Sequence, residues 1–421
     1  MSVPEAVRGA PDWLPPGARV FDLVERTFLE HARLAGYERV RVPVFEHTEL
    51  FARGVGASTD VVQKEMYTFV DKGGRSLTLR PEGTAGVVRA ALQAGVPRSG
   101  GLPAKYAYAG EFFRHERPQA GRQRQFTQVG VEALGSDDPV LDAEVVLVGW
   151  EALRAAGVDD LVLRVNSLGD REDRANYHAA LNAYLDRFDD LPPDVQARRH
   201  LNPLRAFDSK APGMPAIMAD APLLGDHIGE AAERHHAAVV ELLRDQGLPL
   251  THDPRLVRGL DYYTRTTFEY QVGTLGAQNA VGGGGRYDGL AEDLGWPERF
   301  PGVGWALGVD RTVLALRAVG AGASTGARVA AYVVVADPGL AAAAFAVAAE
   351  LRRAGVATEQ AFDGRSVRAQ FKAADRSGAS HAVVVGPDEA ARGAVTVRDL
   401  RSGAQGEVAR DGVAAALGAG G

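Results

Sequence analysis

The sequence predicts an α/β (α+β) chain of two domains. The first, residues 1–317, is built on antiparallel strands with a helical insertion at about 171–253. The second, residues 329–421, is a small α/β domain. Three observations carry this. Residues 105–134 read as a hairpin, with KYAYAGEFFR and QFTQVGVEAL joined by the loop HERPQAGRQR. Residues 171–250 change to helical spacing. A Gly/Ala/Ser-rich stretch, AVGAGASTGA, then reads as a linker over 318–328, and strands alternate with helices after it.

Taken in order, ARVFDLVERTFLEHARLAG places Val20, Val24, Phe28 and Ala32 at four-residue spacing, and Gly36 ends the helix. YERVRVPVFEH alternates, with Val40, Val42 and Val44 on one face of a half-buried strand. The loop of the 105–134 hairpin holds Pro118 and Gly121 and exceeds what a tight turn needs, a length common in functional loops. In the insertion, Tyr177, Leu181, Leu185 and Phe188 keep helical spacing, and HHAAVVELLRDQG gives another helix ending at Gly247. Strands resume from about 255 to 290. The last unit runs VAAYVVVAD, a helix to ELRRAG, VATEQAF, a helix SVRAQFKAADRSG and HAVVVG, the pattern of a largely parallel sheet.

Composition narrows the function classes. A length of 421 residues exceeds one ordinary core. With no run of about 18 apolar residues, no transmembrane helix is expected, and no secretory segment is visible at the N-terminus. The chain has no cysteine, which excludes disulfides, thiolate metal sites and a cysteine nucleophile. A cytoplasmic location is the default expectation. Net charge is −7, so bulk charge does not point to nucleic acid. Local patches matter more than totals, and Arg114, Arg117, Arg122 and Arg124 cluster in the hairpin loop.

Polar side chains converge in two places. Phe112, Arg114 and Glu116 share one face of the first hairpin strand, and Gln128, Gly130 and Glu132 one face of the second. If those faces coincide, an arginine and two carboxylates project from an apolar sheet. Either a salt-bridge ladder or a pocket for a ligand with phosphate and amine groups accounts for this. In VRGLDYYTRTTFEY (257–270), strand alternation puts Tyr262, Thr264, Thr266 and Phe268 on one face and Tyr263, Arg265, Thr267 and Glu269 on the other. Both faces are polar, unusual for a strand that only fills a core; a cross-strand aromatic pair is the plainer reading of the tyrosines. Other motifs carry less. GVGWALG (302–308) is one residue longer than a dinucleotide fingerprint, no P-loop exists, and His235-His236 reads as a solvated pair.

At these residues the chain resembles a known family. FRHERPQAGRQRQF is similar to motif 2 of class II aminoacyl-tRNA synthetases, GVGWALGVDR (302–311) to motif 3, and the segment ending in VRVPVF to motif 1. TLRPEGT (78–84), VRGLDYYTRT (257–266) and GGGGRYDGL (282–290) resemble the elements that set histidyl-tRNA synthetases apart. The likeness runs from RGAPDWLP (8–15) to the last domain. HIGE (227–230) looks like the class I tetrapeptide HIGH, but lies in the helical insertion with no KMSKS-like partner.

The resemblance implies a class II antiparallel-sheet catalytic domain and an anticodon-binding domain. It implies activation of histidine by ATP, with Mg²⁺, and transfer to the 3′ end of histidine tRNA. By that likeness Arg114 and Arg258 hold the α-phosphate and carboxylate, and Arg311 the γ-phosphate. Glu116 and Arg122 contact the nucleotide, with Phe126 on adenine. Glu132 and Tyr263 read the imidazole nitrogens, Tyr262 and Tyr287 wall the pocket, and Glu82, Gly83, Thr84 and Gln128 surround the α-ammonium. Arg117 and Gln119 meet the tRNA acceptor end. No protein ligand for a metal is assigned, and motif 1 implies a homodimer. Asp310 stands before Arg311 where many class members carry glutamate, which bears on the orientation of Arg311.

Two other readings compete. The regulatory subunit of ATP phosphoribosyltransferase shares the catalytic fold but lacks the C-terminal domain and several of the arginines, all present here. A stand-alone adenylating paralogue fits less well with the basic loop and the anticodon-like domain.

Overall fold

The structure is a computed structural model. It describes residues 3–56, 59–119, 121–200, 203–209, 211–320 and 328–418, and elements are counted over these. Two compact units divide the chain, residues 1–323 and 324–421. Most of the predicted linker, residues 321–327, lies outside the described residues.

The first unit opens with α1 (Gly17–Leu34), which buries Val20, Val24, Phe28 and Ala32 as its spacing requires. The alternating segment that follows departs from expectation. It forms two short strands, β1 (Glu38–Arg39) and β2 (Phe45–His47), in different sheets. Pro43 lies between them and has no N–H with which to continue a ladder. Val44 is left exposed. After α2 (Thr48–Gly54), β3 (Tyr67–Val70) and β4 (Ser76–Leu79) complete a small antiparallel sheet with β2. Then α3 (Thr84–Gln93) leads to the hairpin of β5 (Ala104–Phe113) and β6 (Gln125–Leu134). Tyr106 lies opposite Glu132, Tyr108 opposite Gly130, Gly110 opposite Gln128 and Phe112 opposite Phe126. The two faces coincide over the paired residues, but β5 ends at Phe113, so Arg114 and Glu116 lie beyond the strand.

Next come α4 (Pro139–Ala155) and β7 (Leu161–Ser167). Asp138 caps α4 by accepting from the Val140 N–H. The insertion contains α5 (Arg171–Leu185), α6 (Pro193–Arg198), α7 (Met214–Ala219) and α8 (Glu230–Asp245). Tyr177, Leu181 and Leu185 are buried, and Gly247 takes φ +75° just past α8. By β8 (Leu250–His252) the chain has rejoined the main sheet, beside β7. β9 (Thr264–Val272), β10 (Ala280–Arg286), α9 (Leu290–Asp293), β11 (Gly302–Gly308) and α10 (Val309–Ala318) finish the unit.

These strands form one eight-stranded sheet in the order β1-β5-β6-β11-β10-β9-β7-β8. Pairing is antiparallel except at the two edges, β1–β5 and β7–β8. One face is apolar: Val129, Val131, Phe268, Tyr270, Val303, Trp305 and Leu307 share a core with residues of α1, α4 and α10. The other face is stripped of bulk at its centre, where Gly130, Gly283, Gly285, Gly304 and Ala306 leave the backbone bare. GVGWALG is therefore a strand of this sheet, not a nucleotide loop.

The second unit contains β12 (Ala331–Val335), α11 (Ala341–Arg353), β13 (Thr358–Gln360), α12 (Val367–Ser377), β14 (His381–Val385), α13 (Pro387–Ala391), β15 (Ala394–Asp399), β16 (Gln405–Ala409) and α14 (Val413–Ala416). Its sheet runs β13-β12-β14-β15-β16. The first three strands are parallel, as expected, but β15 and β16 form an antiparallel hairpin against β14. The turn between them places Gly403 at φ +77°, a signal that the expectation of a largely parallel sheet overlooked.

His235 also corrects the sequence reading. It is buried, and its Nε2 lies 3.2 Å from Asp142 Oδ1. Asp142 in turn pairs with the fully buried Arg286, whose Nη1 reaches Asp288 at 2.9 Å. The side chain points inward from α8, so the adjacent histidines do not share a solvated face. Removing Asp142 leaves a buried guanidinium with one carboxylate fewer, which costs about 3–5 kcal/mol when a buried pair is broken. All four tryptophans (Trp13, Trp150, Trp296 and Trp305) lie in the first unit. Asp142→Ala is expected to lower the urea midpoint seen by tryptophan fluorescence, while far-UV signal from the second unit persists.

Candidate active site

A cavity of ≈300 Å³ opens on the glycine-rich face of the large sheet. Its wall brings together segments far apart in the chain: Glu82, Gly83 and Thr84 before and in α3; Arg114, Glu116 and Arg122 beyond β5; and Phe126 and Gln128 on β6. Arg258, Tyr262 and Tyr263 arrive from the segment before β9, and Arg311 from the first turn of α10.

Each cation is held by its surroundings. Arg114 donates from Nε to the Pro81 carbonyl at 2.9 Å, and its guanidinium lies 5.3 Å from the Phe126 ring centre. Arg258 Nη1 meets Glu269 Oε2 at 2.5 Å. Arg122 pairs with Glu116 at 3.2 Å. Burial lowers the pKa of Arg311, and the neighbouring Arg122 adds to the effect. Its helix start is fixed by Asp310, whose Oδ2 accepts the Thr127 N–H at 2.7 Å and whose carboxylate also takes a hydrogen bond from Trp13. The aspartate thus anchors α10 to β6, which keeps Arg311 facing the cavity.

The opposite end is carboxylate and phenol. Glu82 accepts the N–H groups of Thr84 (2.7 Å) and Ala85 (3.0 Å), capping α3, and the Tyr262 hydroxyl lies 3.5 Å from it. Burial raises its pKa, against those two backbone hydrogen bonds and Arg114. Glu132 and Tyr287 do not line the cavity; they sit behind its wall, both fully buried. Glu132 Oε1 accepts from Thr84 Oγ1 (2.7 Å) and Tyr108 OH (3.2 Å), and Tyr287 OH donates to Oε2. Burial pushes the Glu132 carboxyl up to about 8, opposed by hydrogen bonds from Thr84, Tyr287 and Tyr108 and reinforced by Glu82. Among the described residues the Gln128 Oε1 is buried without a hydrogen-bond partner, an acceptor facing the cavity wall.

Tyr262 and Tyr263 are not on opposite faces of a strand. β9 begins only at Thr264, Arg265 takes φ +45°, and the pairing with β10 is irregular between Gly285 and Arg286. The chain kinks there, so both rings enter the wall, 4.7 Å apart. Arg117 and Gln119 sit exposed on the loop and outside the cavity, with Gln119 bridged to Arg122. Sequence reasoning missed Tyr108 as a site residue. Its ring is wedged where a Cβ at either Gly83 or Gly130 would collide with it. The period-two pattern of β5 carried the signal, since Tyr108 shares the face of Phe112. Glu269, the partner of Arg258, was placed on a strand face but given no role.

With this geometry in place, the comparisons decide the family. A family model described as histidyl-tRNA synthetase matches residues 9–312, and an anticodon binding domain model matches 330–419. The chain belongs to the histidyl-tRNA synthetase family. It is 51% identical to a histidine–tRNA ligase of Corynebacterium urealyticum over 404 residues, 96% of this chain and 94% of that one. It is 49% identical to one of Mycolicibacterium vanbaalenii over 411 residues, 98% and 97% of the two chains. Among solved structures, the apo histidyl-tRNA synthetase of S. aureus superposes with a TM-score of 0.83 at 32% identity, covering 99% of this chain and all of the other.

The buried Glu132 has a stability signature. Its folded-state pKa of about 8 lies above the ordinary 4.5, so the folded protein holds the proton longer. Raising the pH from about 4.5 to 8 therefore favours the unfolded chain. Glu132→Gln removes this titration. Its melting temperature relative to the parent is expected to rise between pH 5 and pH 9, and a difference that stays constant with pH would contradict the assignment.

Proposed function

We propose that the chain activates histidine with ATP to histidyl-adenylate and pyrophosphate, then transfers histidine to the 3′ end of histidine tRNA. One observation carries the site reading: Arg114, Arg258 and Arg311, from three distant segments, meet in one cavity with Glu82, Tyr262, Tyr263 and an unpartnered Gln128 oxygen.

In the first step the histidine carboxylate oxygen attacks the α-phosphorus as the bond to pyrophosphate breaks. Charge builds on the phosphate oxygens, and preorganised guanidinium groups stabilise it without rearrangement at the moment of reaction. Arg114 and Arg258 serve the α-phosphate, and Arg311 the γ-phosphate. Glu116 and Arg122 hold the nucleotide, with adenine on Phe126. Glu82, Gly83, Thr84 and Gln128 receive the α-ammonium, and the free Gln128 acceptor supports that place for it. Tyr263 and Tyr262 meet the imidazole at the wall, and Glu132 supports them from behind it through Thr84, Tyr108 and Tyr287. A pocket with buried hydrogen-bonding groups rejects side chains that leave them unpaired.

Mg²⁺ enters this proposal as part of the substrate, MgATP. Among the described residues no three of His, Asp and Glu converge on a metal-sized site; of the cavity carboxylates, Glu116 and Glu269 are each paired with an arginine, and Glu82 and Asp310 accept backbone N–H groups. In this reading Arg117 and Gln119, exposed on the loop outside the cavity, contact the acceptor end of the tRNA, and the second unit binds its anticodon arm. With ten basic and ten acidic residues over 329–421, that unit would bind through shape and a few groups, with modest salt dependence. A cytoplasmic place of action belongs to the same reading; among the described residues no helix is long and apolar enough to cross a membrane.

A homodimer belongs to the same reading. The small sheet exposes Val44, Phe45, Phe69 and Val70, with Phe45 and Phe69 in edge contact at 6.4 Å. Light scattering of Phe45→Glu is expected to show a shift from dimer towards monomer.

ATP–pyrophosphate exchange with each of the twenty amino acids tests the activity. Exchange with histidine alone, followed by charging of histidine tRNA, is the expected result. Glu132→Ala should raise the histidine KM or abolish exchange, and Arg114→Ala should abolish it. Parent-like kinetics in either variant would overturn the corresponding role.

A further inference from the structure

Arg258 does not stand alone in the cavity. Its Nη1 meets Glu269 Oε2 at 2.5 Å, and Glu269 Oε1 accepts from Gln271 Nε2 at 2.7 Å. The Gln271 Oε1 accepts from Arg164 Nε at 2.7 Å and from Asn279 Nδ2 at 3.3 Å. Arg164 Nη1 is bound to Asp253 Oδ2 at 3.1 Å, where the chain leaves the helical insertion. The five side chains thus form one unbroken line, Asp253–Arg164–Gln271–Glu269–Arg258, along the open face of β7 and β9. Glu269 and Arg164 are direct cross-strand partners.

We propose that Gln271 and Arg164 are positioning residues that act through Glu269 to hold the Arg258 guanidinium in place for the reacting phosphate. Two features of the geometry support it. The central amide has only one workable orientation. Reversed, it would turn its oxygen to the Glu269 carboxylate and its NH₂ to the Arg164 guanidinium, and both contacts would become repulsive. Gln271 therefore couples a fixed cation on one side to a fixed anion on the other. The strand across from Glu269 also leaves room for the arginine: Gly283 lies opposite it, and a Cβ there would meet the Phe268 carbonyl oxygen at 2.5 Å and Arg258 Cζ at 3.2 Å. An arginine has many rotamers, and freezing one before the substrate arrives removes an entropic cost from the reacting complex.

The inference rests on reading Arg258 as a phosphate ligand, and the experiment separates the two. Pyrophosphate exchange of the full chain is measured for Gln271→Ala, Gln271→Glu and Arg164→Met, with ATP and histidine varied. Neither Gln271 nor Arg164 lines the cavity. Gln271→Ala and Arg164→Met are expected to lower kcat about tenfold with the histidine KM little changed. Gln271→Glu should be slower than Gln271→Ala, although it keeps the volume, because it sets a second carboxylate against Glu269. In an Arg258→Lys background the Gln271→Ala loss should shrink, since the two act on one interaction. A parent-like kcat in Gln271→Ala and Gln271→Glu, or losses that add fully to that of Arg258→Lys, overturns the inference while leaving the phosphate role intact. Parent-like exchange in Arg258→Ala would instead remove the phosphate role and the inference with it.

Discussion

The register of the eight-stranded sheet is the constraint from which the rest follows. Side chains alternate along a strand, so a slip of one residue would exchange every group on the two faces. In β6 the odd positions Val129 and Val131 face the helices and the even positions Phe126, Gln128 and Glu132 face the site. Core and site are thus two sides of the same backbone. Burial of the apolar side, worth about 25 cal/mol per Å² removed from water, locks the polar side in place.

The bare centre of the open face is the second element. Gly283 and Gly285 of β10 and Gly304 of β11 face the open side, and at each an added Cβ would collide with neighbouring backbone. The absence of side chains makes the hollow in which a substrate can lie, and the rim is then supplied by the strand ends and loops. Glu132 shows how tightly the floor is closed. Its carboxyl is surrounded by Thr84, Tyr108 and Tyr287 and is fully screened from water. The insertion contributes to the same wall: Tyr177, Leu181 and Met214 belong to one apolar cluster with Tyr262, Tyr263 and Tyr287. Packing of the insertion and shape of the tyrosine wall are one problem in close-packed matter.

Electrostatically the site is a set of arginines in a low-dielectric recess, each kept from collapse by a partner. Arg258 leans on Glu269, Arg122 on Glu116, and Arg114 on a backbone carbonyl. Such groups are oriented before charge develops, which is the form of stabilisation most valuable to phosphoryl chemistry. Asp310 has the same character at one remove. Its reach to the Thr127 N–H and to Trp13 ties α10, β6 and the N-terminal segment together, so the shorter side chain at this position still fixes Arg311.

The sequence by itself determined a great deal. Four-residue spacing placed α1 and, in the insertion, α5 and α8, period two placed the β5–β6 hairpin, and the resemblance of the ordered motifs singled out arginines that the structure gathers in one cavity. These are local signals, set by backbone periodicity and residue type. Tertiary structure alone decided the rest. Pro43 split a strand whose alternation looked continuous, and the kink at Arg265 turned Tyr262 and Tyr263 into one wall. Burial of Asp142 and Arg286 drew His235 inward. Glu269, Gln271 and Arg164 are joined across strands β9 and β7, 107 positions apart at the Arg164–Gln271 contact. No local pattern encodes such a pairing, because it depends on which strands the packing of distant apolar faces sets side by side.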